Sequence, residues 1–133
     1  MSRQVIQLFQ VTPAAVYVAV IFLFGSLPPG SDALPNLNDK LMHAVAFGGL
    51  VPLNLLAAAA LLTAWSLRTR LLAAAGVAIA LGGLLEVHQL FFTRRSAELG
   101  DWLADTVGVV VIAALLAAYL ARRPTTVAPT SER

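Results

Sequence analysis

The chain has 133 residues, of which 59% are hydrophobic and 12% charged, and its mean hydropathy is +0.80. A soluble domain carries about 25% charged residues, so this composition argues against a water-soluble fold and predicts a membrane protein. The net charge of +2 is too small for a nucleic-acid surface, and the lack of cysteine excludes disulfides and thiolate chemistry.

Four apolar blocks follow one another along the chain, at roughly residues 5–27, 41–65, 71–92 and 102–120. Each is close to the roughly 20 residues that a membrane-spanning helix needs. Because the blocks are rich in Ala and Leu, with no alternation of polar residues, a β-barrel is disfavoured. We predict an all-α, polytopic bundle of four transmembrane helices forming one domain over residues 1–123. A disordered cytoplasmic tail is expected over 124–133.

The second block opens with the pattern Asp39-Lys40-x-x-His43. Asp39 and His43 lie one turn apart, so a helix presents them on the same face. Asn38 or Asp39 would also suit the N-cap of this helix, and Lys40 would suit the membrane surface. The spacing leaves capping and function open for Asp39.

The third block carries Glu86 about six residues before its end. A charge inside the hydrocarbon costs at least about 2.5–3.5 kcal/mol at the helix centre, so it persists only with a partner or a cavity. Gln89 and Gly82 share the face of Glu86, and together they form a polar stripe at a packing surface. No local backbone role explains Glu86, which favours a functional role. His88 points about 100° away and is expected to be an interfacial side chain.

The loop that follows and the fourth block add further charges. Arg94 and Arg95 suit three roles: anchoring at lipid headgroups, neutralising a buried acid, or binding an external phosphate or carboxylate. Asp101 suits the N-cap of the fourth helix, so capping and function stay open for it. Asp105, one turn later on the stripe of Gly108, has no capping role, which favours function.

The distribution of charge predicts the orientation of the helices. With both termini in the cytoplasm, the inner side holds most of the basic residues, as the positive-inside rule requires: Arg3, Arg68, Arg70, Arg122, Arg123 and Arg133. Nearly all of the acidic residues and both histidines then fall on the outer half. We therefore expect a multi-pass protein of the bacterial cytoplasmic membrane with its polar groups gathered at the extracytoplasmic end.

Three of these residues are of types that bind divalent metal ions. One divalent ion held by His43, Glu86 and Asp105 is conceivable, but the chain contains no dense ligand motif such as H-E-x-x-H. We therefore expect no metal and no cofactor.

Four separated elements resemble the VanZ-like family of small bacterial membrane proteins. They are Asp39-Lys40-x-x-His43, Glu86-x-x-Gln89, an arginine at 94 or 95, and Asp101-x-x-x-Asp105-x-x-Gly108. The resemblance covers residues 39–108 in the expected order and implies a four-helix domain of the cell envelope. One member of that family is associated with resistance to the glycopeptide teicoplanin. The chain departs from the family at Asp105, where Asn is usual.

Three functions are compatible with these features. The first is an envelope protein whose extracytoplasmic polar pocket binds an anionic or amphiphilic molecule, such as a lipid-linked phosphate or a lipoglycopeptide. The second is a membrane hydrolase or transferase acting on a lipid-linked phosphate, with Glu86 or His43 as general base. A small multidrug-type exporter ranks last, because such exporters carry their intramembrane Glu in the first helix, whereas Glu86 lies in the third block. Membrane lipids are the expected partners, and the oligomeric state stays open. The predicted functional cluster comprises Asp39, Lys40, His43, Glu86, Gln89, Arg94, Arg95, Asp101 and Asp105.

Overall fold

The computed structural model describes residues 2–27, 38–93 and 96–122, which form four helices. They are α1 (Arg3–Gly25), α2 (Asp39–Leu61), α3 (Leu67–Phe92) and α4 (Leu99–Ala121). At 1.5 Å per residue each is roughly 34 Å long or longer, which exceeds the roughly 30 Å hydrocarbon core of a bilayer. All four are long and apolar enough to cross a membrane. The predicted all-α bundle of four helices is confirmed, and the chain is a multi-pass membrane protein. The predicted tail over 124–133 lies outside the described residues.

The link between α2 and α3 covers residues 62–66, whereas the sequence predicted a link at 66–70. Ser66 accepts a hydrogen bond from a backbone N–H in the first turn of α3, so this helix begins four residues earlier than expected. Arg70 therefore lies inside α3. Its guanidinium donates to two carbonyls just beyond the end of α2, at 2.9 and 2.7 Å, and so satisfies acceptors that the helix leaves free.

The beginnings of α2 and α4 decide two of the capping alternatives. Asn38 is the N-cap of α2 and accepts the N–H of the residue two positions on, so Asp39 lies in the first turn. In α4 the N-cap is Glu98, and Asp101 lies inside the first turn. The capping alternative for Asp101 is therefore wrong. The N–H of Glu98 is instead satisfied from α3, where Glu86 Oε2 accepts it at 2.7 Å.

Helix α2 is the centre of the bundle. It packs against α1, α3 and α4, and its contact with α4 is the most extensive in the described residues. Helix α1 touches α3 at few positions and does not reach α4. The side chains at the centre of the core are almost fully buried: Phe47, Leu50 and Val51 from α2, Leu85 from α3 and Val109 from α4.

Two cross-helix contacts define one end of the bundle. Gln89, near the end of α3, donates to the carbonyl of Gly25 at the end of α1, at 3.0 Å. Lys40, at the start of α2, lies 3.1 Å from the carboxylate of Glu98 at the start of α4. Helices that follow one another in the sequence are therefore antiparallel, whereas α2 and α4, which both begin at this end, are parallel. We call the end where α1 and α3 finish and α2 and α4 begin the polar end.

Helices α2 and α4 approach each other backbone to backbone. A Cβ atom placed on Gly108 would lie 1.9 Å from the carbonyl oxygen of Ala44, and one on Gly48 would lie 3.0 Å from the carbonyl oxygen of Gly108. Only glycine fits at the first separation, and the second leaves little room for a larger residue, as is common at helix interfaces in membranes. This approach brings the first turns of α2 and α4 within reach of each other.

We expect Gly108→Ala to destabilise the protein, because its methyl group forces α2 and α4 apart. The cost should be at least about 1–3 kcal/mol, as for other overpacked sites. Gly76→Ala is the matched control, since a Cβ there meets nothing within 4 Å. It should leave stability unchanged or raise it by up to about 1 kcal/mol through helix propensity. Thermal unfolding in detergent, followed by circular dichroism, measures both; equal melting temperatures would contradict the close approach.

Candidate functional site

Five polar side chains are buried together toward the polar end of the bundle. They are His43 from α2, Glu86 and Gln89 from α3, and Asp101 and Asp105 from α4, none more than 8% exposed. We call these five residues the buried polar cluster. All five belong to the predicted set, and they come from three different helices. The structure therefore brings together residues that are up to 62 positions apart in sequence.

His43 lies between two carboxylates of α4. Its Nδ1 atom is 2.9 Å from Asp105 Oδ1, and its Nε2 atom is 3.6 Å from Asp101 Oδ2. The two aspartates are one helical turn apart, so both reach the same imidazole. A neutral imidazole carries a single N–H and can donate to only one of them. The 3.6 Å contact with Asp101 is longer than a hydrogen bond and becomes an ion pair only when the imidazole carries both protons.

Lys40 lies at the rim of the cluster. Its ammonium group donates to Asp101 Oδ1 and to Glu98 Oε2, the second at 3.1 Å. The side chain of Lys40 is 47% exposed, whereas that of Asp101 is 3% exposed. Lys40 therefore neutralises one carboxylate of the cluster from its edge. Glu98 is not among the residues predicted from the sequence, although it precedes Asp101 by about one helical turn, a spacing that could have indicated it.

Two carboxylates of the cluster retain an unused oxygen. Glu86 Oε1 and Asp105 Oδ2 have no hydrogen-bond partner among the described residues. Gly82 makes room for the second of these, since a Cβ atom on it would lie 2.8 Å from Asp105 Oδ2. Buried acceptors without a donor are energetically costly. The site thus offers free acceptor oxygens and negative charge to a ligand.

Gln89, Asp39 and His88 lie around this centre. Gln89 uses its amide nitrogen to hold the end of α1, and its Oε1 has no partner among the described residues. Asp39 is exposed in the first turn of α2. His88, given low weight from sequence, packs between the rings of Phe22 and Phe92. Arg94 and Arg95 lie outside the described residues, so their roles stay predictions.

Two sets of three side chains have the geometry to surround a cation. The ligand atoms of His43, Glu86 and Asp105 all lie within 4.8 Å of one another, and so do those of Asp39, His43 and Asp101. The first set is buried throughout, whereas the second includes the exposed Asp39.

An apolar cleft opens between α1 and α2 beside the cluster. Its volume is about 220 Å³, and its polar wall consists of Asp39 and His43. The apolar wall is formed by Tyr17, Val20, Ile21, Phe24 and Gly25 of α1 and by Met42, Ala46 and Phe47 of α2. Sequence reasoning missed this cleft, because the spacing inside an apolar block does not indicate which face leaves a gap.

We expect Asp101→Asn to lower the melting temperature by several degrees. The substitution keeps the size of the side chain but removes the buried charge that binds Lys40 and faces His43. Glu98→Gln is the control: the side chain of Glu98 is 55% exposed, and exposed ion pairs contribute little. Thermal unfolding of the two variants in the same detergent tests this, and a larger effect at Glu98 would contradict it.

Comparison with known proteins places this arrangement in a family. The sequence model of the VanZ/LLP1 family matches residues 2–121, which include all four helices and the whole buried polar cluster. No curated protein matches the chain, and no solved structure does. The match covers nearly the entire chain, so this multi-pass membrane protein belongs to the VanZ/LLP1 family.

Proposed function

We propose that this VanZ-like protein binds an amphiphilic molecule of the bacterial cell envelope. The polar head of that molecule meets the buried polar cluster, and its hydrocarbon chain enters the cleft between α1 and α2. The observation that carries the proposal is the position of the cleft, whose apolar walls end at Asp39 and His43. A site with apolar walls and a polar end suits a molecule that has a hydrocarbon chain and a polar head.

The size of the cleft supports a partial enclosure of the ligand. Pockets that hold a whole small molecule measure about 300–1,000 Å³, and this one measures about 220 Å³. It therefore accepts a segment of a hydrocarbon chain, while the rest of the chain stays in the bilayer. Since Tyr17 and Phe24 belong to α1 and Met42 and Phe47 to α2, the segment would lie between the two helices.

The charges of the cluster favour an amphiphile over a simple anion. Glu86, Asp101 and Asp105 repel an unaccompanied anionic head, and Lys40 already contacts Asp101 at the rim. Hydroxyl or ammonium groups would instead donate to the free oxygens of Glu86 and Asp105. A phosphate head would need a cation beside it.

Two biological roles extend the proposal. A lipoglycopeptide combines an acyl chain with sugar hydroxyls, so a contribution to teicoplanin resistance is one such role, supported by family membership. The other is chemistry on a lipid-linked phosphate. The hydrogen bond between His43 Nδ1 and Asp105 Oδ1 favours it, since such a contact fixes the tautomer and orientation of a general base.

The orientation of the protein completes the proposal. We place it in the cytoplasmic membrane with both termini in the cytoplasm, which puts the polar end of the bundle on the extracytoplasmic side. The support is the positive-inside rule, because Arg68 and Arg70 lie at the opposite end of the bundle.

Ala46→Trp should weaken amphiphile binding by about tenfold or more, or about 1.4 kcal/mol, because the indole fills the cleft. Val45→Trp is the matched control, since Val45 is 65% exposed and does not line the cleft. Native mass spectrometry of the purified protein with a polyprenyl phosphate, and separately with teicoplanin, measures both.

The ligand proposal fails if neither compound binds and expression of the protein leaves the teicoplanin susceptibility of a sensitive bacterium unchanged. Equal binding by both tryptophan variants would remove the cleft from the proposal. Release of inorganic phosphate by the purified protein, lost in Glu86→Gln, would assign it to the hydrolase alternative.

Because the chain has no cysteine, single cysteines report its orientation without background. We expect Ser96→Cys, exposed at the polar end, to react with a membrane-impermeant maleimide in intact cells. Ala64→Cys, exposed between α2 and α3, should react only after the cells are permeabilised. The reverse pattern would invert the proposed orientation, and labelling of both in intact cells would contradict the antiparallel spans.

A further inference from the structure

We infer that His43, Glu86 and Asp105 form a binding site for one divalent transition-metal ion. We call these three residues the metal triad. The inference goes beyond the proposed function, because it requires no amphiphile and concerns the protein alone with the metal.

The first argument is geometric. Each residue of the metal triad offers one ligand atom, and the three atoms lie within 4.8 Å of one another. Zn²⁺ binds imidazole nitrogen and carboxylate oxygen at about 2.0–2.2 Å, so neighbouring ligand atoms in a tetrahedral site are roughly 3.3–3.6 Å apart. Binding of an ion would therefore require side-chain rotations that shorten these separations. The ligands come from α2, α3 and α4, so the site depends on the assembled bundle.

The second argument is the state of the carboxylates. Glu86 Oε1 and Asp105 Oδ2 have no hydrogen-bond partner among the residues that the structure describes. Glu86 is 8% exposed and Asp105 is 0% exposed, so solvent does not replace the missing donors. A metal ion bound between them uses these free acceptors, which no protein donor in the described part of the chain reaches.

The third argument is the balance of charge. Within the described part of the chain, Lys40 is the permanently charged cation at the polar end, and its ammonium group is engaged by Asp101 and Glu98. Glu86 and Asp105 then have His43 as the neighbouring group that can carry positive charge. Two carboxylates inside a membrane bundle need compensation, and one divalent ion provides two positive charges.

The competing set of Asp39, His43 and Asp101 fits a metal less well. Asp39 is exposed to solvent, and Asp101 Oδ1 already accepts from Lys40. A metal there would have to displace an existing ion pair, whereas at the metal triad it meets unused oxygens.

The ligand set indicates the class of metal. Mg²⁺ prefers oxygen ligands and retains several waters, while an imidazole favours a transition metal such as Zn²⁺. Three protein ligands leave a fourth position open, which is typical of sites that bind a further ligand. The sequence predicted no metal because it contains no dense ligand motif. Ligands contributed by three separate helices leave no such motif to find.

The test uses the full-length protein in nanodiscs after treatment with a chelator. Zn²⁺ is titrated by calorimetry, and Co²⁺ by its visible absorption, which reports the coordination geometry. We expect saturable binding of one ion per chain and a rise in melting temperature. Asp105→Asn and Glu86→Gln, both nearly isosteric, should each weaken binding by at least about tenfold, since losing even an outer-sphere partner of a metal costs 10–100-fold.

Glu98→Gln is the matched control, because it removes an acidic charge at the rim while the backbone N–H of residue 98 keeps its hydrogen bond to Glu86. It should leave the affinity unchanged. The absence of saturable binding by either ion would overturn the inference, and so would an equal loss in Glu98→Gln and Asp105→Asn, which indicates surface binding. If protons or arginine side chains compensate the carboxylates instead, Asp105→Asn will leave the melting temperature of the metal-free protein unchanged or lower it, and Zn²⁺ will not change the melting temperature of the parent protein.

Discussion

The close approach of α2 and α4 determines the rest of the structure. Between helices in lipid there is no hydrophobic driving force, so association depends on packing and on polar contacts. The missing side chain of Gly108, directly against the carbonyl of Ala44, lets the two backbones touch. Their first turns then lie side by side, and His43, the residue before Ala44, faces Asp105, three residues before Gly108. The glycine thus sets the geometry of the polar groups, although it carries no polar side chain itself.

The buried polar cluster combines stability with unfulfilled bonding. Asp101 is neutralised by Lys40, and Gln89 fastens the end of α1, so these two residues hold helices together. Glu86 and Asp105 each use one oxygen for the protein and keep the other free. Buried polar groups that lack some of their hydrogen bonds are typical of ligand-binding sites. The cluster therefore contains a structural part near the rim and a binding part at its centre.

Much of this arrangement follows from sequence spacing, and the exceptions have physical reasons. Glu86 and Asp105 stand out because a charge in an apolar helix has no local explanation, and both are buried in the bundle. The start of a helix depends on local capping as well as on hydropathy. Ser66 caps α3, which therefore begins at Leu67, before the apolar block that the sequence shows from residue 71. Asp101 is of a residue type that often caps helices, but it lies inside α4, whose N-cap is Glu98. The backbone N–H of Glu98 donates to Glu86 of α3, a contact between helices that the local sequence does not reveal. The cleft arises where the apolar surfaces of α1 and α2 do not pack against each other, and the sequence of one helix alone does not indicate such a gap.

Helix α1 is held differently from the other three. Near its beginning Gln7 donates to the carbonyl of Ala60, and at its end Gly25 accepts from Gln89. Between these two points its partner is mainly α2, and the cleft lies along that stretch. Helix α1 is therefore fixed near both ends by hydrogen bonds and leaves a gap toward α2 along its second half. A hydrocarbon chain that enters the proposed site sideways from the bilayer would lie in this gap, against the part of α1 between Tyr17 and Gly25.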